Sequence, residues 1–403
     1  MQLYEFQQEM INRILFEAEA GHKRILVVMP TGSGKTITFA HILHQLSGHR
    51  RCLVLVHRRE LVWQTVDKLK RFGTSCGVIL QDEPHDITEN IQVASIQTLF
   101  SRAVRRGKMP MPEADIVILD ELHHLPSSKT WQKILSFYLD TPILGVTATP
   151  ITKQGRGLAG YFDAMIIGPS VKELTDKNFL VPAKYFVPSI PDLKGIKIIA
   201  GDYSEKELAE RVDKQPLIGD ICMNWLKICP TRKTLVFATG VKHSMHIVER
   251  FVELGIKAAH VDGYTPDKER DKIVKDFSDG DIQVLSNCAV FGEGVDIPAA
   301  SALVFARPTR SLLLYLQVCG RVLRPYPEKK DCIILDHSGC VYEHGLIDEE
   351  RVWTLEHGSK TGNGTGIRRP KKTKTITCKN CHRIYAGRIE CPECGWKPEI
   401  KGR

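Results

Sequence analysis

At 403 residues the chain exceeds what one hydrophobic core commonly holds, which predicts two principal domains and an appendage. Hydrophobic residues at 42% and charged ones at 26% describe a globular protein, and no apolar run approaches a membrane span. The net charge of +9 favours a polyanionic partner, and the glutamate-bearing start Met1–Ala20 lacks a signal peptide's pattern, so a cytoplasmic protein is expected.

Leu3-Tyr4-Glu5-Phe6-Gln7 leads into a helix with Met10, Ile11, Ile14 and Leu15 on one face. The β-branched run Ile25–Val28 then reads as a short buried strand, followed by Met29-Pro30-Thr31-Gly32-Ser33-Gly34-Lys35-Thr36 and a helical pattern from Ile37 to Leu43. Strand, glycine-rich turn and helix form the setting of a phosphate-binding loop, although Met29 stands where the usual pattern has its first glycine. Gly32 and Gly34 let successive amides, among them those of Thr31 and Ser33, turn inward around phosphate oxygens, and the start of the helix adds positive potential. Lys35 would reach the β- and γ-phosphates of ATP, and Thr36 would offer its hydroxyl to Mg²⁺.

Further apolar strands are predicted at Cys52–Val56, Ile91–Ala94, Ile116–Leu119 and Ile143–Val146, with helical patterns between them. Such alternation predicts an α/β fold with a doubly wound parallel sheet, whose chemistry gathers at the carboxyl ends of its strands. Polar clusters follow these strands: His57-Arg58-Arg59-Glu60, Ser95–Leu99, Asp120-Glu121-Leu122-His123-His124 and Thr147-Ala148-Thr149. Asp120 is placed to hold Mg²⁺ and Glu121 to orient the attacking water. His123 is expected to bond the Thr147/Thr149 segment or the other domain, and His124 to be structural.

Gly168–Pro182 reads as the crossing between domains, after which strands are predicted at Thr234–Gly240, Ala258–Gly263, Ile282–Ser286, Ala302–Phe305 and Cys332–Leu335. This second sheet lacks a phosphate loop and is expected to bind no nucleotide unaided. Asn287–Pro298 is a polar, glycine-bearing loop after a strand. Gln317, Arg321 and Arg324 fall at i, i+4 and i+7, which places them on one face of a helix and suits an arginine finger; a solvated basic face is the plain alternative.

From Gly358 to Lys374 the chain is rich in Gly, Thr, Lys and Arg, the composition of a flexible basic linker able to track phosphates or simply to tether. Cys378-x₂-Cys381 and Cys391-x₂-Cys394 then give two knuckles at ribbon-like spacing, a Cys₄ pattern for structural Zn²⁺. Four thiolates leave no open coordination position, so no catalysis is expected there. The other eight cysteines, of the 12 in the chain, sit among apolar neighbours as small reduced core residues.

This ordered set of motifs resembles the DExH-type helicases and translocases of superfamily 2 over about residues 1 to 345. Pro30–Thr36 is similar to motif I, His57–Leu61 to motif Ia, Ser95–Leu99 to motif Ib and Asp120–His123 to motif II. Thr147–Thr149 is similar to motif III, Asn287–Pro298 to motif V and Gln317–Arg324 to motif VI. Gly155-Arg156-Gly157-Leu158, Gly168-Pro169-Ser170, Asp336-His337-Ser338-Gly339 and the C-terminal cysteines are most similar to RadD-like bacterial and phage DNA-repair helicases. The resemblance implies that Gln7 reads adenine, that Tyr4 offers a stacking face in place of the relatives' arginine, and that Gly294 and Asp296 touch the γ-phosphate region and the ribose. It also implies nucleic-acid contacts from Arg58, Arg59, Thr98, Thr239 and Thr265, which are phosphate contacts that position without reading sequence.

The domains expected are 1–170 and 171–345, each RecA-like, then a linker over 346–376 and a zinc module over 377–403. The function expected is a nucleic-acid-dependent ATPase that moves on or unwinds single-stranded or branched DNA, in repair, recombination or replication, with a recombinase or single-strand-binding protein as partner. The alternatives are an ATP-driven accessory that clamps DNA for a recombinase, a restriction-system motor and an RNA helicase.

Overall fold

The computed structural model describes residues 2–81, 83, 87–152, 157–292, 294, 296–355, 367–368 and 375–398, with backbone alone at His123, His124, Ile367 and Arg368. The chain forms two units, Met1–Ser170 with Arg351–Arg368, and Val171–Glu350 with Arg369–Arg403.

In the first unit, helix α1 (Glu5–Glu19) buries Phe6, Met10, Ile11 and Ile14, while Leu15, expected on the same face, is exposed. Then come β1 (Arg24–Val28), α2 (Lys35–Leu46), β2 (Cys52–Val56), α3 (Arg59–Arg71), β3 (Gly77–Ile79), β4 (Ile91–Ser95), α4 (Ile96–Leu99), β5 (Ile116–Asp120), α5 (Lys129–Leu135), β6 (Ile143–Thr147) and β7 (Ala164–Ile167). The sheet order is β3-β4-β2-β5-β6-β1-β7, and every pairing is parallel. Strands covered on both faces need no polar alternation, which is why β2 reads Cys-Leu-Val-Leu-Val and is buried throughout. Burial of such side chains contributes about 1.5–3 kcal/mol each. Gly145 in β6 lets the sheet meet Leu122 and Phe162; a Cβ there would lie 2.5 Å from both side chains.

The second unit opens with α6 (Val171–Asp176) and β8 (Ala183–Phe186), then a small hairpin of β9 (Ile198–Ile199) and β10 (Asp202–Tyr203), followed by α7 (Glu205–Val212) and α8 (Gln215–Ile228). Alternation continues through β11 (Thr234–Phe237), α9 (Val241–Glu253), β12 (Ala258–Val261), α10 (Asp267–Asp279), β13 (Val284–Asn287), β14 (Ala302–Phe305), α11 (Leu312–Gly320), β15 (Cys332–Asp336) and α12 (Cys340–His344). Its sheet begins β12-β13-β11-β14-β15-β8, all parallel. Trp225 and Phe251, both fully buried, meet edge to face in its core.

The stretch 346–376 differs from the flexible linker expected of it. Ile347 is buried and donates its amide to the Tyr185 hydroxyl. The strand β16 (Val352–Trp353) pairs with β17 (Ile367–Arg368), and Trp353 and Leu355 pack on the first unit's core. The basic run's residues 358–366 and 369–374 lie outside the described residues, as do Gly155 and Arg156.

Nor is the cysteine-rich end a free appendage. Strand β19 (Arg383–Ala386) pairs antiparallel with β8, and β18 (Thr375–Thr377) pairs antiparallel with β19. The two extend the second sheet to eight strands, and the Val187 amide adds a bond to the His382 carbonyl at 2.9 Å.

Candidate nucleotide site and metal cluster

In the first sheet β5, β6 and β1 are adjacent, so Asp120, Thr147 and the loop after β1 leave the sheet side by side. The loop is tied to β6 at its start, where the Met29 amide donates to the Thr147 carbonyl at 2.9 Å. Met29 is fully buried, so it fills the core where the usual pattern carries glycine. Gly32 and Gly34 have φ of 91° and 83°, a region that favours glycine and turns the chain so that α2 begins at Lys35. The Ser33 hydroxyl donates to the Pro30 carbonyl at 2.7 Å, and Lys35 Nζ lies 3.4 Å from the carbonyls of Met29 and Pro30. Thr31 and Ser33 are buried within this turn, and Thr36 occupies the first turn of α2.

Gln7 is 1% exposed and serves the loop directly. Its Nε2 donates to the Ser33 carbonyl at 3.2 Å, and its Oε1 accepts from the Tyr4 amide at 3.0 Å. The chain before α1 is thereby fixed to the phosphate loop, a coupling that the sequence pattern did not disclose. The Tyr4 ring stacks on Phe6, with centroids 5.9 Å apart.

Asp120 and Glu121 are both buried, and the Glu121 amide donates to Asp120 Oδ1 at 3.0 Å. Glu121 has φ of 55°, an uncommon conformation for a side-chain-bearing residue and one that costs free energy. It swings the chain out of β5 at the acidic pair, and Leu122 then seats in the space beside Gly145. Thr147 Oγ1 donates to the Thr149 carbonyl at 3.0 Å and accepts from the Thr149 amide at 3.1 Å, closing a tight loop after β6. The side chains of His123 and His124 lie outside the described residues.

Arg58, Arg59 and Thr98 follow β2 and β4, on the other half of the same sheet edge. His57 Nδ1 meets Gln97 Nε2 at 2.9 Å, joining the two loops, while Arg59 is exposed and the Thr98 side chain is buried.

In the second unit, α11 ends at Gly320 and Arg321 caps it. The expectation that Arg324 continues the same helical face is therefore corrected: Pro325 disfavours helical backbone at the residue before it, and Arg324 lies beyond the helix. Both arginines nonetheless meet the loop after β13. Arg321, 7% exposed, donates to the Gly292 carbonyl at 2.8 Å, and Arg324 forms an ion pair with Asp296. Gly294 has φ of 78° in this loop, and Gln317 is buried on α11. Thr239 is buried too, with its Oγ1 3.4 Å from the Ala306 carbonyl, and the Thr265 hydroxyl is engaged with Asp262, so neither hydroxyl projects alone. Asp336 is wholly buried and caps α12, accepting from the amides of Ser338, Gly339 and Val341 at 2.8–2.9 Å.

The Sγ atoms of Cys378, Cys381, Cys391 and Cys394 all lie within 4.8 Å of one another. Two pairs stand at 3.5 and 3.6 Å, and all four thiols are free, so no disulfide joins them. Tetrahedral zinc with bonds of about 2.3 Å requires sulfur separations of about 3.8 Å, so the cluster fits the ion. The amides of Asn380 and Cys381 both point at Cys378 Sγ at 3.4 Å, the knuckle geometry that steadies a thiolate.

Comparison with known proteins places this geometry. Residues 1–152 match the family described as type III restriction enzyme, res subunit, and residues 218–326 match the helicase conserved C-terminal domain. A 51.5 kDa protein of a Lactococcus phage is 33% identical over 376 residues, covering 92% of this chain and 77% of the relative. The chain belongs to the superfamily 2 helicases. It is also 30% identical to the candidate ATP-dependent helicase IRC3 of Saccharomyces cerevisiae over 84% of this chain, although it spans about half of that relative, 51%. The DNA 3'-5' translocase XPB2 of Sulfurisphaera tokodaii is 26% identical over 82% of this chain and 80% of its own. Among solved structures, a fragment of a candidate HsdR subunit of a type I restriction enzyme from Vibrio vulnificus superposes with a TM-score of 0.67 at 22% identity. That alignment covers 85% of this helicase and 65% of the other chain, and it bears on the fold alone. The family implies ATP with Mg²⁺ and an ATP-hydrolysing enzyme. No helix among the described residues is long and apolar enough to cross a membrane.

Proposed function

We propose that this helicase hydrolyses ATP at the carboxyl edge of its first sheet and uses the cycle to move along DNA, separating or remodelling strands. The strand order carries the reading, because it sets Asp120, Thr147 and the phosphate loop at neighbouring strand ends. Lys35 and the amides of Thr31, Gly32, Ser33, Gly34 and Thr36 take the phosphates, Thr36 and Asp120 hold Mg²⁺, and Glu121 orients the water. The metal, when bound, neutralises charge on the phosphate oxygens. Gln7 serves the adenine. Arg321 and Arg324, with Gln317, Gly294 and Asp296 about them, act from the second unit on the γ-phosphate when the domains close during turnover, which couples hydrolysis to movement.

DNA is favoured by the activity for which the archaeal translocase relative is named and by the net charge of +9. Arg58, Arg59, Thr98, Thr239 and Thr265 contribute to the track, the two buried threonines through the backbone around them. A role in repair, recombination or replication with a recombinase or single-strand-binding partner accords with such an activity, and free cysteines throughout suit the reducing cytoplasm. Zn²⁺ held by Cys378, Cys381, Cys391 and Cys394 is structural.

The test is ATP turnover titrated with single-stranded DNA, duplex DNA and RNA. Single-stranded or branched DNA should stimulate most. Lys35→Ala should lower turnover by about 10²-fold or more, and Arg321→Ala by roughly 10³-fold or more, with DNA still bound. Normal turnover by the Lys35 variant would refute the assignment. The match of residues 1–152 to the res subunit supports a second reading, the motor of a restriction system. Co-purification with a nuclease or methyltransferase subunit would decide for it.

A further inference from the structure

The carboxyl edge of the second sheet carries a feature that ATP hydrolysis does not use. After β12 the chain turns through Asp262-Gly263-Tyr264-Thr265, and Tyr264 is 89% exposed, more than any other large hydrophobic side chain among the described residues. The turn that presents it is stiff. Asp262 Oδ1 accepts from the amides of Tyr264 and Thr265 at 2.8 and 3.0 Å and from the Thr265 hydroxyl at 3.1 Å, while Arg270 donates to the Thr265 carbonyl at 3.1 Å. Asp262 Oδ2 meets His260 Nε2 at 3.2 Å, His260 Nδ1 meets Ser244 at 2.7 Å, and Ser244 meets the buried Ser286 on β13 at 2.6 Å. A polar chain thus runs from inside the sheet to the base of an exposed aromatic ring.

Leaving a tyrosine ring in water has no folding benefit, and rigid mounting lowers the entropy lost when a flat ligand settles on it. Cations stand at this same edge: Lys242 and Lys268 are exposed in the first turns of α9 and α10, the latter between Asp267 and Glu269, so the phosphate contribution here is modest and the ring is the principal feature. We propose that Tyr264 is a base-stacking platform for single-stranded nucleic acid, with Lys242 and Lys268 at the same sheet edge available to its phosphates. The assignment rests on the proposed nucleic-acid-dependent activity and deepens it by naming where an unpaired base is held. Stacking on an aromatic ring tolerates every base, so the site grips a strand without reading sequence.

The test compares wild type, Tyr264→Ala and Tyr264→Phe in the full chain, by fluorescence anisotropy at one salt concentration. The probes are a labelled oligothymidylate and a strand of equal length made of abasic sites. Tyr264→Ala should raise Kd for the thymidylate roughly 5- to 150-fold, Tyr264→Phe should bind as wild type, and Tyr264→Ala should match wild type on the abasic strand. Equal thymidylate affinity in Tyr264→Ala, or a deficit of the same size on the abasic strand, overturns the stacking. If that happens while DNA still stimulates wild-type ATP turnover, the motor reading stands; if no polynucleotide stimulates wild type, both fall.

Discussion

The two sheets of this helicase share a parallel plan and differ in the loop that leaves the strand at the corresponding point. In the first, β1 opens into Met29–Thr36, where left-handed Gly32 and Gly34 turn the backbone before α2 starts. In the second, β11 passes through Thr239 and Gly240 into α9 at once, and Gly240 has φ of −152°, ordinary extended backbone. Both loops begin alike: Met29 donates to the Thr147 carbonyl on the neighbouring strand, and Ala238 to that of Asn287. Beyond that point they part, because the Thr239 amide is spent on His243 Nδ1 at 3.3 Å. A phosphate needs several convergent amides, which the longer glycine-bearing turn of the first loop can supply and the short second loop, closed on His243, is too brief to gather. The two sheets therefore differ by two left-handed glycines and a longer turn, the features on which the proposed nucleotide site depends.

The sheets also differ at their edges, and the largest expected effect lies there. The first ends on β7 of its own parallel set, whereas the second is extended by the β18–β19 hairpin that carries the cysteines. Metal binding in comparable peptides supplies about 10–16 kcal/mol of folding free energy. Stripping zinc with a strong chelator, or replacing Cys378 by Ser, should unfold the hairpin and expose the β8 edge. Hydrogen exchange should then rise in residues 183–186 and 375–386 while residues 24–28 and 143–147 keep their protection. Equal deprotection of both units would show that the metal supports more than the second sheet.

A smaller effect probes the loop. Gly34→Ala places a Cβ against Gln7 Nε2 and holds a non-glycine residue at φ of 83°. The backbone term alone costs about 1–2 kcal/mol. Since Gln7 is held at both ends of its amide, the strain should appear as weaker nucleotide binding, by roughly tenfold, with the cysteine-bearing hairpin unaffected. Titration with a fluorescent ATP analogue measures it, and unchanged affinity would show that the loop reshapes freely.

Much of this molecule was legible because buried parallel strands announce themselves as apolar runs. Ile25–Val28, Cys52–Val56, Ile116–Leu119 and Ala302–Phe305 read as strands for that reason, and the polar residues after them mark the working edge. The strands that escaped carry weaker patterns. Ala183–Phe186 contains a lysine, and the β18–β19 hairpin is short, with threonines and an arginine interrupting its apolar residues. Neither periodicity nor spacing could tell that the cysteine knuckles dock by strand pairing, since pairing joins backbones that lie almost two hundred residues apart. A spacing of seven does not keep Arg324 on the helix, because α11 ends at Gly320 and Pro325 disfavours helical backbone at the residue before it. The Gln7 contact with Ser33 was invisible for a similar reason, being a meeting of a side chain with a distant carbonyl.

The smallest effect tests the comparison at its pivot, His243. Its Nδ1 accepts from the Thr239 amide, so the neutral ring carries its proton on Nε2, which is buried and has no partner among the described residues. Burial pushes the imidazole down to about 4, although Asp213 opposes the shift. Protonation would place a hydrogen on Nδ1, break the bond to Thr239 and leave a charge in the interior. Because the folded-state value lies below the ordinary 6.5, the unfolded chain binds the extra proton between those two values. Stability therefore falls as pH drops from about 6.5 toward 4, is unaffected above that window, and loses no more once both states are protonated. At pH 5 the loss from this residue is about 2 kcal/mol. Urea titration should show a lower midpoint at pH 5 than at pH 7 for the second unit, and His243→Leu should narrow the gap by that amount while sacrificing the Thr239 bond at both pH values. If the variant's gap equals that of wild type, protonation of His243 is not what weakens the second unit at pH 5.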